Sequence, residues 1–93
     1  MRERDIEVYL RDQVKAAGGI AYKFISPGNA GVPDRMILLP GGQVVFVELK
    51  VPGKIPTPLQ LRQQTRIRNL GFQVLTLDSK EGVNEFIKGV RCS

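Results

Sequence analysis

The chain has 93 residues, 42% of them hydrophobic, which suits one compact domain and leaves no room for a second core. Fourteen Lys and Arg against nine Asp and Glu give a formal charge of +5, which favours a polyanionic partner such as nucleic acid. With no histidine, and a single cysteine (Cys92) beside the C-terminus, the composition excludes an internal disulfide, a thiolate or imidazole zinc site and a His-based triad. The opening Met1-Arg2-Glu3-Arg4-Asp5 lacks the apolar region of a signal peptide, and no apolar run approaches the roughly 18 residues that span a bilayer. A soluble, cytoplasmic protein without a membrane partner is expected.

In residues 3–17, Ile6, Leu10, Val14 and Ala17 recur at spacings of three and four, which predicts an amphipathic helix stopped by Gly18-Gly19. Residues 20–25 alternate loosely and read as a first strand. The following Ser26-Pro27-Gly28-Asn29-Ala30-Gly31-Val32-Pro33 is loop chemistry. Residues 35–39 and 43–50 read as two strands joined by Pro40-Gly41-Gly42, a hairpin signal. A second Pro- and Gly-rich loop, residues 52–58, ends in Thr57-Pro58, the N-cap and first position of a helix running to about Leu70 and closed by Gly71. Residues 73–77 read as a fourth strand, and Ser79 caps a final helix through Val90. The order is αβββαβα, a single α/β domain over residues 1–93 with a mixed central sheet flanked by helices.

Alternation along the third strand puts Val45, Val47 and Leu49 on one face and Val44, Phe46, Glu48 and Lys50 on the other. If the hairpin loop is the three residues Pro40-Gly41-Gly42, then Leu39 faces Gln43, and counting back places Asp34 across from Glu48 with β-carbons about 5 Å apart. A two-residue loop would pair Arg35 with Glu48 instead and turn Asp34 away. Carboxylates that close make sense around a cation, and an all-oxygen site suits Mg²⁺ or Mn²⁺. Taken alone, Glu-x-Lys on a strand describes an exposed face carrying charges of both signs. Its place at the end of an apolar strand, fourteen residues after Pro33-Asp34, sets it apart.

Gly31-Val32-Pro33-Asp34, Val47-Glu48-Leu49-Lys50 and Pro58-Leu59-Gln60 together resemble the virus-type replication-repair nuclease (VRR-NUC) branch of the PD-(D/E)XK superfamily. The resemblance begins at Ile6-Glu7 and covers nearly the whole chain. It implies a restriction-endonuclease-like core and a metal-dependent DNA endonuclease. In that resemblance Asp34 and Glu48 are metal-binding carboxylates with the Leu49 carbonyl as a further ligand. Lys50 orients or activates the attacking water, and Gln60 supports the site. Likeness to small stand-alone phage and bacterial members implies a homodimer acting on branched DNA in the manner of Holliday-junction resolvases, in DNA repair, with no nucleotide cofactor. The rival readings on the same fold are a non-catalytic DNA-binding module and a subunit of a phage replication or repair complex. Either would be expected to have lost an acidic or lysine position, and none is lost.

A first-helix carboxylate is expected to join the site. Glu3 and Glu7 lie four apart on one stripe, and Glu7 is preferred because Ile6 and Leu10 beside it dock the helix. Alternatively, both neutralise the helix dipole. Arg62 and Arg66, an i, i+4 pair, are candidate phosphate contacts, with Lys23, Arg35 and Lys54 as further candidates. The remaining polar residues of that helix, Gln63 and Gln64 among them, read as a solvated face. The six aromatics are read as core or core-edge residues.

Overall fold

The computed structural model describes residues 2–91, so Cys92 lies outside it. Seven elements follow the expected order: α1 (Glu3–Ala16), β1 (Ile20–Lys23), β2 (Arg35–Leu39), β3 (Gln43–Leu49), α2 (Pro58–Asn69), β4 (Gln73–Leu77) and α3 (Lys80–Arg91). The strands form one sheet in the order β1-β2-β3-β4, antiparallel except for the parallel β3–β4 pair. A parallel pair needs a crossover, and α2 supplies it.

The hairpin takes the three-residue connection. Gly41 and Gly42 both sit at positive φ, a region open to glycine, and the register runs from Leu39 opposite Gln43 to Arg35 opposite Val47. The first strand is shorter than expected. The Phe24 N–H still bonds the Asp34 carbonyl at 2.8 Å. The next partner would be Pro33, which has no N–H to continue the ladder, and Ile25 is left exposed.

Alternation divides the sheet into two faces. Ile37, Leu39, Val45, Val47, Leu49 and Leu77 face α1 and α3, and close the core with Ile6, Leu10, Val14, Val83, Phe86 and Ile87. The other face carries Phe46, Glu48, Val74 and Thr76 beneath α2. There Phe46 touches Phe24 and Phe72, at 5.3 and 5.8 Å between ring centroids. Most aromatics lie in the core or at its edge as expected, but Tyr22, on the edge strand, and Phe72, before β4, are exposed. No helix among the described residues is long and apolar enough to cross a membrane.

Candidate active site

The β2–β3 ladder stops at Arg35–Val47, and one step further brings Asp34 alongside Glu48. The Leu49 N–H, two residues past the last pair, donates to Asp34 Oδ2 at 2.8 Å, so a side chain finishes what the backbone ladder leaves open. In an extended residue N–H and C=O leave the strand on the same edge, so the Leu49 carbonyl is directed toward Asp34 as well. Lys50 Nζ lies 3.6 Å from Glu48 Oε2.

Glu48 is only 2% exposed. Burial first, and the neighbouring Asp34 carboxylate second, push its carboxyl up to about 7, against the lowering effect of Lys50. One of its oxygens, Oε1, is buried and has no hydrogen-bond partner among the described residues. An orphaned carboxylate oxygen costs free energy unless a cation or a proton meets it.

The other oxygen is held by α2. Thr57 and Gln60 form a reciprocal capping box: Gln60 N donates to Thr57 Oγ1 at 3.2 Å, and Thr57 N donates to Gln60 Oε1 at 2.9 Å. With the amide oxygen fixed on the cap, Gln60 Nε2 points outward and donates to Glu48 Oε2 at 2.9 Å. The helix start thereby orients a site residue.

The rest of the inner stripe of α2 corrects the expectation of a solvated glutamine face. Gln60, Gln63, Gln64 and Ile67 turn toward the body of the protein, while Leu59, Leu61 and Leu70 are exposed. Gln64, at 2% exposure, donates to Thr76 Oγ1 at 3.3 Å, and Gln63 donates to the Ala30 carbonyl at 3.2 Å. Gln63 therefore ties α2 to the loop that carries Asp34. A Cβ on Gly31 would come within 2.9 Å of Leu59 Cγ, and its φ of +87° favours glycine as well, so this loop sits directly against the first turn of α2. A capping Thr followed by Gln at the third helical position was the visible sign of the Gln60 arrangement. Nothing local marked Gln63 and Gln64.

The structure separates the two first-helix carboxylates. Glu7 Oε1 pairs with Arg35 Nη2 at 2.6 Å on the α1 face of the sheet, opposite to Glu48, because one step along β2 from Asp34 to Arg35 changes face. Glu3 is among the charges that raise the Glu48 carboxyl. Arg35, proposed above for phosphate contact, is buried and bonded to Glu7 and to the Ala21 carbonyl, so its guanidinium is engaged inside the fold. Lys23 lies across from Arg35 on the edge strand, and Lys54 is exposed in the loop before α2. Arg62 and Arg66 are exposed on α2, whereas Arg68 donates to the Val74 carbonyl at 2.8 Å.

Asp34, Glu48 and the Leu49 carbonyl offer oxygen only, the donor type of a hard divalent cation. Among the described residues no group of three or more His, Cys, Asp or Glu is placed to hold a metal ion. Two carboxylates leave the other positions to water, a main-chain carbonyl and phosphate, which suits Mg²⁺, an ion that keeps several waters. The unpartnered Glu48 Oε1 fits the same ion.

No family model matches the chain. A protein named "Putative nuclease p44", from Acyrthosiphon pisum secondary endosymbiont phage 1, is 54% identical over 81 residues, covering 87% of this chain and 87% of that protein. A solved structure described as a VRR_NUC domain superposes with a TM-score of 0.87 at 33% identity, over 92% of this chain and 94% of that one. Identity at this level over nearly the full length of both chains, together with the same mixed sheet flanked by helices, gives the assignment: the chain belongs to the VRR-NUC nuclease family.

Proposed function

We propose that this protein is a Mg²⁺- or Mn²⁺-dependent DNA endonuclease, one domain over its 93 residues, which acts as an intracellular homodimer on branched DNA of the Holliday-junction kind. The observation that carries the reading is Glu48: a buried carboxylate beside Asp34, with one oxygen held by Gln60 and Lys50 and the other unpartnered. Asp34, Glu48 and the Leu49 carbonyl would hold the cation, with Glu3 in preference to Glu7 as the first-helix carboxylate. When bound, the ion neutralises phosphate charge and lowers the pKa of a water.

The side chains have separable tasks. Gln60 keeps the Glu48 carboxylate from rotating, and the Leu49 N–H does the same for Asp34. Lys50, held near Glu48, orients the attacking water and stabilises the negative charge that builds up as phosphorus is attacked. Arg62, Arg66, Lys23 and Lys54 supply phosphate contacts, and Arg35 supports the fold. Exposed apolar residues on and after α2, Leu61, Leu70 and Phe72, are available for contact with a second copy.

The test is cleavage of labelled four-way, flap and linear DNA in Mg²⁺ and in EDTA, by the wild type and by Asp34→Ala, Glu48→Ala and Lys50→Ala. Cleavage of branched DNA only with metal, lost in each variant, is the expected result. Full activity in EDTA, or near wild-type activity in any of the three, overturns the assignment.

A further inference from the structure

Beside the acid pair, on the α2 side of the sheet, lies a cavity of about 220 Å³ that the proposed chemistry does not use. It is smaller than the roughly 300–1,000 Å³ typical of drug-sized ligand sites, so it takes a single ring system. Its near wall adjoins the site, while Arg66, Ile67 and Leu70 carry the cavity away from it along α2. Phe24 bonds Asp34 through the backbone, Val32 precedes Asp34 by two residues, and Gln63 follows Gln60 by three positions, about 4.5 Å along α2.

The lining is of two kinds. Phe24, backed by Phe46, and Val32 are apolar. Asn29 donates to Ser26 Oγ at 2.9 Å and Gln63 to the Ala30 carbonyl at 3.2 Å, so these polar groups are held in place while their amide oxygens stay available. Arg66 also lines the cavity, exposed and in no ion pair among the described residues. A flat ring against an aromatic, amides along its edge and a guanidinium for the attached phosphate is the recognition chemistry of an unpaired nucleotide.

We infer that this cavity receives one unpaired base of the DNA substrate, from a nucleotide adjoining the scissile phosphate. The inference rests on the nuclease reading and adds to it a source of branch preference. A base in a single-stranded flap is already unpaired, whereas a base in a duplex, the arms of a four-way junction included, must first be unstacked, at a cost. Amides and an aromatic accept any base, so the contact selects structure and not sequence.

The experiment uses the full chain and a flap DNA in which a single abasic residue is moved one position at a time through the cut site. At one position next to the cut, loss of the base should lower kcat/KM roughly ten-fold, the scale of one lost base–aromatic stack. Asn29→Trp, at an exposed position without positive φ, fills the cavity while the fold persists, as an unchanged Tm would verify. It should slow the intact substrate to the abasic level and erase the positional effect. Equal cleavage of every abasic substrate by an active wild type overturns the inference and leaves the nuclease reading standing, as does an abasic penalty that survives in Asn29→Trp. No metal-dependent cleavage of any DNA overturns both.

Discussion

Replacing Glu48 with glutamine should stabilise the metal-free protein strongly above pH 7 and far less at pH 5. The Glu48 carboxyl is buried, and its pKa is raised from 4.5 to about 7, first by burial and then by Asp34. Between those values the folded protein keeps a proton that the unfolded chain has released. Stability therefore falls as pH rises through that window, and the loss is complete above pH 7. The full effect is on the order of 3 kcal/mol, of which roughly 2–3 kcal/mol develops between pH 5 and pH 8. Glutamine imitates the protonated form and can still accept the Gln60 bond, so it lacks this loss. Urea unfolding in EDTA at both pH values measures the difference between the two proteins. At pH 8, Mg²⁺ should restore wild-type stability by mass action while doing little for the variant. A difference between the proteins that is the same at pH 5 and pH 8 would refute the reasoning.

Glu7→Gln should cost about 2–3 kcal/mol, because it strips the carboxylate from an Arg35 side chain that is 8% exposed; the 35% exposure of Glu7 keeps the loss below that of a fully buried pair. Glu3→Gln should leave the unfolding midpoint within about 0.5 kcal/mol and instead weaken Mg²⁺ binding by calorimetry; the opposite pattern would return Glu7 to the site. Gly31→Ala should lower stability by about 1–3 kcal/mol through positive φ and the Leu59 contact, with partial recovery when Leu59 is also made Ala; an unchanged Tm would show that the loop yields freely. Replacing Arg62 and Arg66 together with alanine should reduce the slope of log affinity against log salt for branched DNA by up to about 2, and an unchanged slope would turn the outer face of α2 away from DNA.

What the sequence made legible was whatever local periodicity and turn chemistry govern. Pro40-Gly41-Gly42 set the hairpin register, and the register alone brings Asp34 to Glu48. The spacing of Ile6, Leu10 and Val14 gave α1 its buried stripe. Arg35 was read as a phosphate contact, although the alternation applied to β3 would have put it with Ile37 and Leu39 on the α1 face. That same docking of α1, which recommended Glu7 as a ligand, carries it to Arg35. The inward Gln63 and Gln64 of α2 were not legible. Polar periodicity normally means solvent, and these two turn inward here because Ala30 and Thr76 supply partners from 33 and 12 residues away.

The polarity of that inner stripe bears on how the site is held. A helix docked by leucines would gain stability wherever its face met apolar surface, and would tolerate small slips along the sheet. Hydrogen bonds are directional, so a helix docked by Gln60, Gln63 and Gln64 has one setting in which all three are satisfied, and a slip leaves the half-buried amides of Gln60 and Gln63 and the buried amide of Gln64 unpaired. That one setting places the Gln60 amide on Glu48 and holds the Asp34 loop through Ala30. The arrangement gives up apolar burial on α2, where Gln64 is the one fully buried residue among those described, and the leucines are left outside. In return, the distance between two carboxylates that repel each other is fixed from both sides, by the β2–β3 ladder along the sheet and by α2 across it. Above pH 7, where Glu48 has lost its proton, a site that must hold two like charges before any cation arrives needs that constraint from the protein itself.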